Sequence, residues 1–377
     1  MNTLRLLLVI LLFGSSVYSQ QRIADYGIRI GVLPPGQWNA ITDVPGVRVG
    51  HATLINGDNV RTGVTAVLPH GDNIFQMKVP AAIYVGNGFG KLAGYTQVRE
   101  LGNIETPIVL TNTLSVPVAS RALIAYTLAL EGNENVRSVN AVVGETNDGY
   151  LNDIRGNHVK EEDIMQAIAS AKSGPVTEGS VGAGTGTICF GYKGGIGTSS
   201  RKLPESLGGY TIGVLVQTNF GGVLEIAGVP VAREMDSYPF RNAIQKSDGS
   251  CMIVVATDAP LSPRNLERLA KRAVFGIAKT GGIASNGSGD YVIAFSTDEA
   301  GRVDYDSENR LHQKAELRNE AMTPLFLGAI EATEEAILNS LFAGQTMTGH
   351  EGHTIEGLPV DDILDVMKNY RIQVNDE

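Results

Sequence analysis

The sequence predicts an α/β protein of two stacked sheets with helices on the outside. Three observations lead there. Short Val- and Ile-rich runs alternate with amphipathic helical stretches. The runs are almost continuously apolar, as in sheets covered on both faces. Each helical stretch carries one apolar stripe, so it covers one face of a sheet. A single doubly wound sheet is the alternative arrangement.

The strands expected in chain order are Gly46–Thr53, Thr62–Leu68, Ala81–Val85, Pro107–Thr111, Ala141–Val143, Tyr210–Thr218, Met252–Ala256 and Tyr291–Phe295. Turn residues bound each of them. One helix begins at Ser262–Pro263, a cap followed by proline in the first turn. Leu266, Leu269, Ala270, Ala273, Val274 and Ile277 then keep helical spacing, and Gly281–Gly282 closes it. Thr323–Pro324 repeats the device ahead of Leu327, Ile330, Glu334, Ile337, Leu338 and Leu341. Two further helices are expected over Val118–Leu130 and Asp163–Ala171.

The N-terminus looks like a cleavable export signal, residues 1–19. Arg5 supplies the positive start, Leu6 to Phe13 is unbroken apolar sequence, and Val17 and Ser19 stand where a signal peptidase needs small residues. The run is too short for a bilayer, which takes about 20 apolar residues. A periplasmic or secreted protein is expected, with no membrane attachment after the signal is removed. The remainder is long enough for one large domain or two ordinary ones. No Pro-, Ser- or Gly-rich linker divides it. The one soft boundary is the polar stretch Arg241–Gly249, which leads straight into Cys251–Ala256.

The net charge of −10 and the absence of a basic stretch argue against a nucleic-acid partner. With 45 glycines scattered between apolar runs, many turns and close backbone approaches are expected. Cys189 and Cys251 permit one disulfide or two buried thiols.

Several motifs fail on physical grounds. Gly182-Ala-Gly-Thr-Gly186 has phosphate-loop composition, but Thr187–Phe190 after it is strand-like, and without a helix N-terminus the anion site loses its basis. His350-Glu-Gly-His353 lacks the i, i+4 spacing of a zinc helix and reads as a solvated loop. No nucleophile elbow stands in a strand–turn–helix setting.

The remaining candidate is Gly249–Ser250. A serine hydroxyl can attack the preceding glycine carbonyl when a loop holds that peptide under strain, and the missing Cβ leaves the carbonyl open. An N-to-O acyl shift followed by hydrolysis then frees a chain that begins with serine. Its own α-amine can serve as base for its hydroxyl. Such a residue belongs at the start of a rigid strand, which Cys251–Ala256 supplies. Taken alone, the dipeptide is also an ordinary turn.

A wider pattern points the same way. Ile41-Thr-Asp-Val-Pro-Gly-Val-Arg-Val-Gly-His51, Thr111-Asn-Thr-Leu114, Gly144-Glu-Thr-Asn-Asp-Gly-Tyr-Leu-Asn-Asp153, Gly182–Gly186, Thr218-Asn-Phe-Gly221, Gly249–Ser250 and Asn286-Gly-Ser-Gly-Asp290 occur in this order. With them the chain resembles the L-aminopeptidase/D-esterase (DmpA-like) and β-peptidyl aminopeptidase family. These are self-processing serine peptidases (peptidase family S58) with the DOM fold, an N-terminal-nucleophile-like αββα sandwich. The resemblance implies an aminopeptidase acting on short peptides, amides or esters with L-α, D- or β-aminoacyl groups. It implies one domain cleaved into residues 20–249 and 250–377, no metal or organic cofactor, and a homo-oligomer of the two-chain unit. Residue by residue, Ser250 matches the nucleophile and Asn219 the oxyanion donor. Ser288 and Asp290 match the pair that orients the nucleophile. Tyr150 matches a phenol near the reacting centre, Glu145 the acid that holds the substrate's ammonium, and Asn112 a lining residue. Two other outcomes fit the same scaffold: an acyltransferase of the ornithine acetyltransferase type, and a secreted binding protein without catalysis.

Overall fold

Strand Ser250–Thr257 shows why the sheet forms where it does. Every residue in it is buried, and alternate side chains enter different cores: Cys251, Ile253 and Val255 one, Met252, Val254 and Ala256 another. Such a strand needs cover on both faces. The computed structural model describes residues 21–238 and 249–370, without 308 and 313. The candidate export signal and the polar residues 241–248 lie outside the described residues.

The strands up to residue 304 are β1 (Arg48–Asn56), β2 (Val60–Leu68), β3 (Met77–Gly88), β4 (Asn103–Ile104), β5 (Ile108–Asn112), β6 (Val142–Thr146), β7 (Ile188–Cys189), β8 (Tyr192–Lys193), β9 (Ile196–Lys202), β10 (Thr211–Asn219), β11 (Ser250–Thr257), β12 (Gly289–Ser296) and β13 (Val303–Asp304). The helices that cover them are α1 (Tyr95–Leu101), α2 (Val116–Leu128), α3 (Glu161–Ala169), α4 (Val231–Glu234), α5 (Pro263–Lys279) and α6 (Thr323–Phe342). One sheet has the order β1-β2-β5-β6, the other β13-β3-β12-β11-β10-β9, with β4 on β3. In the larger sheet β11 runs parallel to β12 and antiparallel to β10.

Three cores separate four layers. Between the sheets, Val67, Ile108 and Leu110 meet Leu215, Val254 and Phe295. Outside the smaller sheet, Leu123 of α2 and Ile164 of α3 pack on Val64 and Val109. Outside the larger sheet, Leu269 of α5 and Ile337 of α6 pack on Val214, Ile253 and Val292. The architecture is therefore an αββα sandwich, and the doubly wound alternative falls.

Two elements, β9 and α6, depart from the sequence reading. Strand β9 was not expected, because its IGTSSRK sequence reads as polar. Its residues up to Arg201 are nonetheless buried: Arg201 pairs with Glu331 at 3.2 Å and with Glu335 at 2.7 Å, both on α6. For the same reason α6 is not a one-stripe helix. Glu331, Glu334, Glu335 and Asn339 are buried. The backbone amides of Val32 and Leu33 also donate to Glu331, and that of Ile23 to Asn339. Buried charge is tolerated there because each carboxylate finds a partner. Finally, Ser262 caps α5 through the Asn265 amide, but Thr323 is the first helical residue of α6 and Met322 occupies the cap position.

Candidate active site

The site forms where three strand ends of the larger sheet meet. Asn219 ends β10 and Ser250 begins β11, and antiparallel register places them opposite each other. Both are largely buried, at 9 % and 7 % exposure. The Asn219 Oδ1 accepts the Ile188 amide at 3.0 Å. That bond uses the acceptor end of the side chain and leaves Nδ2 as a donor.

On the other side, parallel register pairs Ser250 with Gly289 of β12. The Gly289 amide lies 3.1 Å from the Gly249 carbonyl oxygen and 3.3 Å from Ser250 Oγ. One backbone donor thus reaches both the carbonyl and the hydroxyl of the peptide expected to break. Glycine at 249 is required by space: a Cβ there would stand 2.5 Å from Phe220 Cα and 2.6 Å from the Asn219 carbonyl oxygen.

Ser288 and Asp290 sit at the start of β12, each 1 % exposed. Their i, i+2 spacing lets the Ser288 hydroxyl donate to Asp290 Oδ1 at 2.8 Å. Register sets Asp290 beside Cys251, one residue along from the nucleophile. The pair is therefore bonded to itself, and the described hydrogen bond to Ser250 Oγ comes from the Gly289 amide. The resemblance had implied that this pair orients the nucleophile.

Burial pushes the Asp290 carboxyl up to about 6, against the opposing pull of the Ser288 hydroxyl and the Cys251 amide. A raised value means folding favours the protonated form. Stability from this group is present below the ordinary 3.8 and is lost as pH rises through about 6. Activity runs the other way if the carboxylate is needed to hold Ser288. We expect the kcat/KM profile to carry an acid limb near 6, and Asp290→Asn to flatten it. The variant should also gain thermal stability over the wild type at pH above 7 more than at mildly acidic pH. An unchanged limb in the variant would assign that titration to another group.

Glu145 comes from the smaller sheet. It is a buried β6 residue, not a surface acid: its Oε1 accepts the Lys91 amide at 2.9 Å and its Oε2 accepts the Thr113 hydroxyl. No ion pair among the described residues involves it. A buried carboxylate without a cation is poised to receive one.

The other expected site residues are used differently. Asn112 accepts the Leu114 and Ser115 amides at 3.1 and 3.0 Å and donates to Thr62 Oγ1 at 2.9 Å. It shapes the turn into α2 and so places Thr113 under Glu145. Tyr150 is 47 % exposed and stacks on His353 with ring centroids 4.2 Å apart. The described hydrogen bonds do not bring its hydroxyl to Ser250. Cys189 and Cys251 are buried free thiols, and burial raises both, Cys189 to about 12. Gly182–Gly184 forms a tight turn, and Lys193 Nζ donates to the Gly184 carbonyl at 3.0 Å. Sequence reasoning missed the Gly289 amide, the Ile188 amide and Thr113. Only Thr113 had a signal, its place in the Thr111–Leu114 motif.

A sandwich that sets a serine at the head of a central strand, behind a glycine peptide, is the arrangement of an N-terminal-nucleophile-like hydrolase fold. The comparisons agree. The model of peptidase family S58 matches residues 39–355. The β-peptidyl aminopeptidase BapA of Sphingosinicella microcystinivorans is 41 % identical, over 96 % of this chain and 95 % of that protein. Among solved structures, a Burkholderia sp. β-aminopeptidase is 41 % identical with a TM-score of 0.86, covering 93 % of this chain and 100 % of that one. The L-aminopeptidase D-Ala-esterase/amidase of Ochrobactrum anthropi, a variant of the Ntn hydrolase fold, is 36 % identical with a TM-score of 0.85, covering 93 % and 98 %. The chain belongs to peptidase family S58, and it is a serine aminopeptidase.

Proposed function

We propose that this aminopeptidase makes its own nucleophile by breaking the Gly249–Ser250 bond, then releases N-terminal residues from short peptides, amides or esters. The observation that carries this reading is the Gly289 amide shared by the Gly249 carbonyl and Ser250 Oγ. In processing, Ser250 Oγ attacks the Gly249 carbonyl and the Ser250 nitrogen departs. Water then hydrolyses the ester, leaving a Gly249 carboxylate and a free Ser250 amine. In turnover, the same oxygen attacks the aminoacyl carbonyl and its proton passes to the Ser250 amine. The developing oxyanion faces Asn219 Nδ2 and the Gly289 amide. The leaving amine takes the proton, and water deacylates the ester.

Glu145 is the partner for the substrate's ammonium, which restricts cleavage to free amino termini. Glu145→Gln should raise KM about 10- to 100-fold, the worth of a hydrogen bond to a charged group. N-acetylated substrates should be inert with both proteins. A variant that keeps the wild-type KM would remove Glu145 from this role.

The cut chains should remain one domain, because β11 lies between β10 and β12 and cannot leave without opening the sheet. Residues 1–19 support export to the periplasm or beyond, and an oligomer of the two-chain unit follows the same reading. Mass spectrometry with N-terminal sequencing tests processing and the leader together. A panel of L-, D- and β-aminoacyl p-nitroanilides then sets the substrate class. Relatives named for β-peptidyl and for L-aminopeptidase activity support including all three.

A further inference from the structure

Tyr291 belongs to β12 and points into the space between the sheets, 6 % exposed. It lies between two parts of the site. A Cβ on Gly289 would stand 3.1 Å from its ring at Cε2. A Cβ on Gly90 would stand 3.4 Å from its hydroxyl oxygen and 3.0 Å from Glu145 Oε1. The phenol end of the ring, Cε2 with the hydroxyl, therefore borders the residue whose amide serves Ser250. The same end lies within 3.4 Å of a point that Glu145 also nearly touches. The phenol stays protonated, since burial and the charges of Glu145 and Asp290 raise it above its ordinary value.

A substrate that anchors its ammonium on Glu145 and offers its carbonyl to Ser250 must pass its backbone along this ring. Both Glu145 oxygens already accept one donor, from Lys91 and Thr113. An ammonium carries three donors, so a further acceptor beside the carboxylate is chemically useful. We propose that Tyr291 is a substrate-binding and specificity-determining residue. Its hydroxyl oxygen takes a second hydrogen bond from the ammonium, and its ring limits how many carbons can separate amine and carbonyl. This deepens the aminopeptidase reading above and rests on it.

The test uses processed wild type, Tyr291→Phe and Tyr291→Leu with paired alanine and β-alanine p-nitroanilides. Tyr291→Phe keeps the ring and removes the acceptor. KM should rise about tenfold on both substrates, with kcat changed less than about threefold. Tyr291→Leu opens the wall and should shift the α-to-β ratio of kcat/KM by about tenfold. Formation of the Ser250 amino terminus involves no ammonium, so it should go to completion in Tyr291→Phe. Wild-type KM in Tyr291→Phe, or an unchanged ratio in Tyr291→Leu, overturns the proposal while the aminopeptidase reading stands. Failed processing in Tyr291→Phe also overturns it, by showing a structural role. If the wild type is cut but hydrolyses neither substrate nor any other free aminoacyl p-nitroanilide, the underlying reading falls and this proposal falls with it.

Discussion

Ser250→Ala should yield one uncut polypeptide that hydrolyses nothing. The hydroxyl is asked to do two things in sequence, and both are lost with it. In processing it is the atom that attacks Gly249, and no other described hydroxyl reaches that carbonyl. In turnover it forms the ester, and processing also uncovers the amine that serves as its base. The variant should fold, because the change is small and, among the described residues, Ser250 Oγ accepts only the Gly289 amide, which keeps the Gly249 carbonyl as a partner. Mass spectrometry of the purified variant, together with a p-nitroanilide assay, reads both losses. An alanine variant that still cleaves aminoacyl amides would sink the mechanism outright. Cys251 offers no substitute: it faces the helix-side core and its thiol is raised well above the ordinary value by burial.

Asn219→Ala should lower kcat about 10²- to 10³-fold with a small change in KM, the usual cost of one oxyanion donor. Asn219 stands across the strand pair from Ser250, and its orientation follows from the Ile188 amide that occupies Oδ1. Alanine removes the donor and also leaves that amide without its partner, which costs about 1–3 kcal/mol of stability where the group is buried. Asn219→Asp separates the two effects. It keeps an acceptor for Ile188, loses the Nδ2 donor and adds a negative charge where negative charge develops. Rate should fall at least as far as in the alanine variant while thermal stability is better kept. Steady-state kinetics beside thermal unfolding checks this, and an aspartate variant with wild-type kcat would remove Asn219 from the oxyanion site.

Much of the scaffold was readable because its strands are apolar on both faces. Tyr210–Thr218 and Met252–Ala256 needed no partner to be recognised; the second falls inside β11 and the first overlaps β10 from Thr211 onward. Strand β9 was hidden because its burial is polar. Arg201 pairs with glutamates far along the chain, and hydrophobic periodicity does not register such pairs. The four-layer arrangement needed the tertiary structure, since apolar runs suit two sheets or one.

The site divides along the same line. Ser250 was legible as the junction of a polar stretch and a buried strand, and Ser288 with Asp290 as an i, i+2 pair. Glu145 was singled out only by the resemblance, and its burial was not legible. The surroundings of Asn112 and Tyr150 were not legible either: one shapes a turn, the other stacks on His353.

By itself, then, the sequence determined the residue types, the strands that carry them and the one peptide bond whose flanking residues suit self-cleavage. The tertiary structure decided what surrounds that bond. The Gly289 amide is a backbone group, identical in every non-proline residue, so only strand register can show where it points. Tyr291 and Glu145 lie on different sheets, so only the stacking of those sheets brings them to one place. Side-chain chemistry is written residue by residue, whereas register and layer packing are properties of the whole fold.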